Sequence, residues 1–201
     1  MKTMAQKTPD HDALYHLAEQ QAGYFTARQG ARAGFSGERL SDYSKNGRYQ
    51  RVAHGVYRLT QFPSSRFEDL FVAWLKCGPK SAISHESALA LYDLSDILPG
   101  EVHVTVTRTA SRRRKGIRLH TNRLSPANVV KREGLRVTSV PRTIADVAKA
   151  GLSEDHVARA IREALERGLT TSQALAAEAR RQGGRAARLI KTYSNSTKGH
   201  S

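Results

Sequence analysis

Hydroxyl, amide and guanidinium side chains recur between residues 36 and 54, and their chemistry suits binding to a nucleic acid. Arginine and lysine contact phosphates, and arginine, lysine, asparagine and serine also contact base edges. A short helical pattern runs over residues 37–46, and two short β-patterns follow it. The predicted DNA-binding set comprises Ser36, Arg39, Ser41, Lys45, Asn46, Arg48, Arg51 and His54.

The helical pattern over residues 37–46 would present most of this set. Ser36 is predicted to cap the helix, because a serine hydroxyl accepts from the free amides of a first turn. Leu40 and Tyr43 lie three positions apart and would face the core. Gly47 is predicted to end the helix. The alternative is a solvated face of an ordinary small helix. Winged helices also serve as protein-interaction modules.

Two short strands are predicted after this helix. Val56 and Leu59 supply apolar positions, and His54-Gly55 supplies the turn, where glycine permits a positive φ. A helix, a turn at Gly34, a second helix and a two-stranded wing follow the order of a winged helix-turn-helix. Arg58 is expected to lie close to a DNA backbone together with Arg48 and Arg51, and plain solubility is the alternative for each.

The segment at residues 84–87 holds a hydroxyl, an imidazole and a carboxylate, which are the groups of nucleophilic catalysis. Capping explains the segment without catalysis, because Ser84 suits an N-cap and Glu86 suits the first turn of a helix. His85 has no obvious acidic partner in the sequence. We therefore predict no catalytic residue here.

Metal-dependent chemistry also lacks its usual signals. His103 and His120 approach each other across a predicted hairpin, but two strand histidines without a third ligand are more often structural. Restriction-type nucleases carry a lysine two residues after an acidic ligand, and no aspartate or glutamate here has that neighbour. GxxxxGK[ST] and HExxH motifs are absent. We expect no metal, no cofactor and no enzymatic activity, and a DNA-binding nuclease is the less favoured alternative.

A run of four cations separates two segments that alternate apolar and polar residues, at 102–106 and 117–119. This run consists of Arg112, Arg113, Arg114 and Lys115. The alternation predicts two half-buried strands joined as a hairpin with a basic tip. Because four like charges need a solvated or polyanionic environment, the tip is a candidate contact for a partner or a nucleic acid. A mobile exposed loop is the alternative.

Composition limits the class of protein. The chain has 201 residues, a net charge of +15 and 39% hydrophobic residues, with a pI near 10.4. A strongly basic balance favours a polyanionic partner. No apolar run approaches the ~20 residues that span a bilayer, and the N-terminus has no signal-peptide core. Because Cys77 is the single cysteine, the chain holds no internal disulfide, and we expect a cytoplasmic protein. We expect no membrane partner.

These patterns predict an α+β protein in which an N-terminal winged helix-turn-helix precedes a mixed domain of short antiparallel hairpins and helices. Residues 1–62 are assigned to the DNA-binding domain and residues 63–192 to the second domain. Residues 193–201 are expected to be a flexible tail. The basic character and the winged-helix order both indicate double-stranded DNA as the partner.

An ordered series of segments resembles AbiEi-type antitoxins of type IV toxin–antitoxin systems. The series consists of YFTARQ…GFS…RL…NGRYQRVAHGVYRL, SAISHESALALYDL, EVHVTV with IRLHTNRL, and GLRVTSVPRTIADVA. It covers roughly residues 20 to 150. The resemblance implies repression of the protein's own promoter through inverted repeats, and a C-terminal domain that counters a nucleotidyltransferase-like toxin, directly or indirectly. It also implies a role in phage defence.

Two matters stay open at the level of the sequence. A winged-helix transcription factor with a sensing or dimerisation domain has the same N-terminal pattern and is the alternative to an antitoxin. The oligomeric state is also open: a monomer in solution is compatible with two copies on DNA, because two-fold operators favour two copies.

Overall fold

A computed structural model describes residues 8–97, 99–107 and 114–196. The chain divides into two compact units. The first comprises residues up to Pro79 together with Glu133–Leu135, and the second comprises Lys80–Arg132 and the residues from Arg136 onward.

Four helices and three strands make up the described part of the first unit. They are α1 (His11–Glu19), β1 (Tyr24–Thr26), α2 (Ala27–Arg32), α3 (Gly37–Lys45), β2 (Tyr49–Ala53), β3 (Val56–Leu59) and α4 (Glu68–Cys77). The strands form an antiparallel sheet in the order β1-β3-β2. This is the predicted winged helix-turn-helix, with α2 and α3 as the helix pair and β2-β3 as the wing.

Side-chain caps begin the three short helices of this unit. Asp10 accepts from the Ala13 amide of α1 at 2.9 Å, and Thr26 and Gln29 form a reciprocal capping box at the start of α2. Ser36 begins α3, as predicted. These caps satisfy amides that a helix leaves without partners, so the boundaries of the three helices are encoded locally.

An apolar core joins the helices to the wing. Its buried members are Leu14, Ala18, Phe25, Phe35, Leu40, Tyr49, Tyr57 and Leu59. Gly30 of α2 allows the close approach of α3, because a Cβ there would lie 3.3 Å from a methyl of Leu40. A turn through Gly34, at φ +85°, leads from α2 towards α3.

Helix α4 packs with the winged helix, whereas the predicted domain boundary at residue 62 assigned it to the second domain. The Tyr24 ring stacks on Phe71 with centroids 4.9 Å apart, and the Tyr24 hydroxyl donates to Glu68 Oε2 at 2.8 Å. Ser65 Oγ accepts from the Phe67 amide, and α4 begins without a side-chain cap.

The second unit surrounds a five-stranded sheet in the order β6-β5-β4-β8-β7. Its elements are β4 (Ala82–Ile83), α5 (His85–Tyr92), β5 (Val102–Val106), β6 (Ile117–Thr121), β7 (Val129–Arg132), β8 (Leu135–Thr138), α6 (Val140–Ala150), α7 (Glu154–Glu166), α8 (Ser172–Gln182) and α9 (Gly184–Ser196). The β7-β8 turn was predicted at Glu133-Gly134, and both residues have positive φ, as a two-residue hairpin turn requires.

Strands β5 and β6 are parallel, so the predicted antiparallel hairpin at this place is wrong. Val102 pairs with Ile117, and Val106 pairs with Thr121. The connection over residues 107–116 reaches at most about 35 Å when extended, which suffices to return along a five-residue strand of about 17 Å. Apolar residues alternate with the same period in parallel and antiparallel strands. The sequence pattern therefore does not determine how β5 and β6 pair.

A buried charged network lies among the helices of this unit. Arg142 Nε donates to both carboxylate oxygens of Asp146 at 2.9 Å, and the two residues form an i,i+4 pair on α6. Glu178 Oε1 lies 4.0 Å from Arg142 Nη1, and Asn128 Nδ2 donates to Glu178 Oε2 at 3.3 Å. Buried charges are retained at tolerable cost only when paired in this way.

The C-terminal helices run further than the sequence predicted. The first residues of the predicted flexible tail continue α9 to Ser196, and the Tyr193 hydroxyl donates to Glu154 at 2.6 Å. Thr171 caps α8, because its hydroxyl accepts from the Ala174 amide. Residues 1–7 lie outside the described residues, as do residues 197–201 of the predicted flexible tail. No helix in the described residues is long and apolar enough to cross a membrane.

Candidate nucleic-acid interface

Helix α3 separates an apolar face from a polar one, as predicted. Leu40 is buried, and the Tyr43 ring packs edge-on against Tyr49 with centroids 5.2 Å apart. Ser41, Lys45 and Asn46 are exposed on the opposite side, and Arg39 is half-buried. In the described part of the chain, neither cation of this face has an acidic partner within 4.0 Å.

The two ends of α3 have structural tasks as well. Ser36 Oγ accepts from the Arg39 amide at 3.2 Å, and its own proton remains a donor for a phosphate oxygen. Asn46 closes the last turn through its backbone amide, which leaves its side-chain amide exposed. A helix that is capped at its start and anchored by Leu40 holds its outer side chains in fixed positions.

The wing carries its basic residues in two places. At the hairpin end, Arg51 Nη2 lies 3.1 Å from His54 Nδ1, and both side chains are exposed. Ala53 pairs with Val56 across the predicted His54-Gly55 turn, and the register shifts between Arg51 and Ala53. At the other end of β2, the Arg48 guanidinium lies 5.1 Å from the centre of the Tyr43 ring, a cation–π distance.

Arg58 corrects one expectation about the wing. It is only 8% exposed, and its guanidinium donates to the Phe62 carbonyl and to Gln50 Oε1. Arg58 Nε also lies 4.0 Å from Glu68 Oε2. Its position in β3, the central strand of the sheet, makes it a structural residue of the first unit, so the prediction that it approaches DNA is wrong.

The wing lies on an aromatic base that stays uncharged. Burial, and secondarily the neighbouring Tyr43 hydroxyl, raises the pKa of Tyr49 to about 12. Tyr49 also contacts the edges of the Phe25 and Phe35 rings. The aromatic cluster beneath α3 and β2 therefore stays uncharged in the physiological pH range. Its packing holds α3 and β2, which carry the exposed cations.

Only half of the predicted basic run is described. Arg112 and Arg113 lie outside the described residues, whereas Arg114 and Lys115 line an open depression of about 670 Å³ beside β6. Arg118 lines the same depression and was missed by the sequence analysis. In the sequence, Arg118 is the polar residue between Ile117 and Leu119 on an alternating strand. β6 is an edge strand, and a charge there protects the strand from pairing with another chain.

Comparison with known proteins finds a family similarity within the first unit. Residues 12–60 match the family model described as "Transcriptional regulator, AbiEi antitoxin". The predicted resemblance to AbiEi antitoxins is confirmed for this segment. The AbiEi segment contains α1, the helix pair α2-α3 and the wing, and therefore every residue of the predicted DNA-binding set. The family is one of transcriptional regulators rather than of enzymes.

One solved structure extends the similarity beyond the AbiEi segment. The crystal structure of the RV2827C protein from Mycobacterium tuberculosis superposes with a TM-score of 0.54 at 12% sequence identity. The match covers 91% of this chain and 75% of that chain. At this identity the similarity concerns the fold alone. No curated protein matches the sequence.

Proposed function

We propose that this protein is the antitoxin of a type IV toxin–antitoxin system and represses its own promoter. In this proposal α3 contacts base edges in the major groove of an inverted repeat, and the wing contacts the backbone. The second unit counters a nucleotidyltransferase-like toxin. The observation that carries the proposal is the capped, outward-facing α3 with unpaired cations, inside the segment that matches AbiEi regulators.

The side chains of α3 divide by the contacts they suit. Arg39 and Asn46 make bidentate contacts with guanine and adenine respectively in many complexes, whereas Lys45 suits either a base edge or a phosphate. Arg48 and Arg51 are wing residues and suit phosphates, which fix the register without reading the sequence. We expect two copies on DNA, because a single small module makes few phosphate contacts.

The second unit is the candidate for toxin neutralisation. Arg114, Lys115 and Arg118 line the depression beside β6, and this cationic surface suits an acidic protein surface or a toxin-bound nucleic acid. A location outside the winged helix would allow promoter binding and neutralisation to be separated by mutation.

Two cellular measurements test the proposal. A reporter gene under the protein's own promoter measures repression, and co-expression with a nucleotidyltransferase-like toxin from the same genome measures rescue of growth. We expect the full chain to repress and to rescue. Repression without rescue would instead support a transcription factor with a sensing or dimerisation domain. Cleavage of DNA that depends on a divalent metal would support the nuclease alternative.

A further inference from the structure

Three histidines converge in the second unit, at a place that the DNA-binding proposal does not use. We call His85, His103 and His120 the histidine cluster. One ring nitrogen from each lies within 4.8 Å of the others. His85 and His103 are buried, and His120 is half-buried. The sequence offered two strand histidines without a third ligand, and the fold supplies that third ligand from the start of α5.

The parallel pairing of β5 and β6 creates the cluster. His120 lies opposite Thr105 in this register, and Thr105 is two residues from His103. Residues two apart share one face of a strand, so His103 and His120 lie on the same face of the sheet. His85 adopts a positive φ of 51°, and its ring stacks on His120 with centroids 3.5 Å apart.

We propose that the histidine cluster and Glu86 together bind one divalent first-row transition-metal ion, with Zn²⁺ as the best match. Imidazole nitrogen and carboxylate oxygen are ordinary zinc ligands, and four ligands complete a tetrahedral site. A shell completed by protein side chains is typical of a structural ion, which here would fasten the start of α5 to β5 and β6.

One pair of ring nitrogens already has the spacing that this ion requires. His120 Nε2 lies 3.3 Å from His103 Nδ1. Zinc–nitrogen bonds of about 2.0–2.1 Å put tetrahedral ligand atoms about 3.4 Å apart. The widest separation in the cluster is within 4.8 Å, so side-chain rotations that move ring atoms by about 1 Å suffice to close the shell.

Glu86 supplies the fourth ligand. Its Oε2 lies 2.5 Å from His103 Nδ1. The same buried oxygen has no well-aligned hydrogen-bond donor among the described residues. Buried polar atoms normally have a partner. A metal ion bound by the histidine cluster would supply the partner that this carboxylate oxygen lacks.

Neighbouring hydroxyls orient the cluster. Ser84 Oγ lies 3.0 Å from His85 Nδ1 and accepts from Thr105 Oγ1 at 2.8 Å. When His85 donates its Nδ1 proton to Ser84, its Nε2 keeps the lone pair that a metal needs. Ser84 was predicted to cap α5, but its hydroxyl makes no capping bond. It supports the histidine instead.

Burial favours the neutral form of two of the three imidazoles. Burial, and secondarily the charge of His120, lowers the pKa of His85 to about 3. Burial likewise lowers the pKa of His120 to about 4, with His103 as the next cause. Neutral imidazole is the metal-binding form, so no proton has to leave either ring at neutral pH.

Titration of the full-length, chelator-treated protein with Zn²⁺ tests the proposal. Calorimetry should show one equivalent bound, and the melting temperature should rise with Zn²⁺. His120→Gln is the variant of choice, because this half-buried residue lies on an edge strand. We expect it to weaken Zn²⁺ binding by more than about tenfold, and we expect Glu86→Gln to do the same, since even outer-shell changes cost about 10–100-fold. His16→Gln is the control, since His16 is an exposed histidine 3.7 Å from a glutamate.

Co²⁺ supplies a readout that does not depend on stability. The wild type should give the intense visible absorption of tetrahedral Co²⁺, and His120→Cys should add a thiolate-to-cobalt band in the near ultraviolet. The wild type, which already contains Cys77, is the reference for that band. Equal Zn²⁺ affinity in wild type and His120→Gln, or absence of a one-equivalent site in the wild type, would overturn the proposal. Unchanged affinity in Glu86→Gln would overturn the four-ligand shell.

Discussion

Arg51 Nη2 lies 3.1 Å from His54 Nδ1 at the end of the wing hairpin. The contact joins a strand residue to the first residue of the turn, and it holds an exposed guanidinium in place. A neutral histidine accepts this hydrogen bond without removing the positive charge. The guanidinium is therefore positioned and still available to a phosphate.

Arg51→Ala should weaken binding to promoter DNA and to random DNA by similar factors. A phosphate contact carries no sequence information, and the slope of log affinity against log salt should fall in magnitude by about 1. Fluorescence anisotropy at several salt concentrations measures both quantities. Lys76→Ala, which removes an exposed cation of α4, is the control, and equal slopes for Arg51→Ala and the wild type would argue against a backbone contact.

Arg142→Ala should lower the free energy of unfolding by about 3–5 kcal/mol, because it leaves the buried carboxylates of Asp146 and Glu178 without their shared cation. Chemical denaturation measures the change. The matched control is Arg159→Ala, since Arg159 forms the same i,i+4 pair with Glu163 in an exposed setting. Exposed pairs contribute little, so a comparable loss in both variants would contradict the importance of burial.

Phe71→Ala should destabilise the first unit by about 3–5 kcal/mol, because the Phe71 ring is fully buried and stacks on Tyr24. The same contact predicts that a fragment ending at residue 79 unfolds more cooperatively than one ending at residue 62. Circular dichroism during thermal unfolding compares the two fragments. Identical transitions would support the shorter domain that the sequence predicted.

The sequence predicts a solvated tip for the run of Arg112, Arg113, Arg114 and Lys115. Replacing all four by Gln should leave the melting temperature nearly unchanged, because exposed charges contribute little to stability. We expect rescue from the toxin to fail while repression survives, since the run lies outside the winged helix. The control carries four Gln replacements at other exposed cations, namely Lys76, Arg162, Arg180 and Lys191. Loss of repression alone would instead assign the run to DNA, and retention of both activities would indicate a solvated loop.

Local signals predicted the first unit well. Ser36 caps α3, and the His54-Gly55 turn needs the positive φ that Gly55 has. Both features depend on interactions between residues close in sequence, which periodicity and capping rules describe. The prediction failed for Arg58 because its partners, Gln50, Phe62 and Glu68, meet it only through the sheet and α4.

The second unit depends more on contacts between distant residues. The alternation over 102–106 predicted a strand but not its parallel partner. The direction of that pairing brings His120 to the face of His103, and α5 adds His85. A three-histidine cluster assembled from residues 85, 103 and 120 has no linear motif, so the sequence alone predicted no metal site there.

Fluorescence anisotropy with two labelled duplexes tests whether α3 reads promoter DNA. One duplex carries the protein's own promoter repeat, and the other carries the same bases in scrambled order. The combined variant Arg39→Ala, Lys45→Ala and Asn46→Ala should lose most of the preference for the repeat, because each bidentate base contact discriminates by about 1–3 kcal/mol. Lys76→Ala with Arg162→Ala removes the same net charge and should keep the preference. Unchanged preference for the repeat in the α3 variant would contradict the claim.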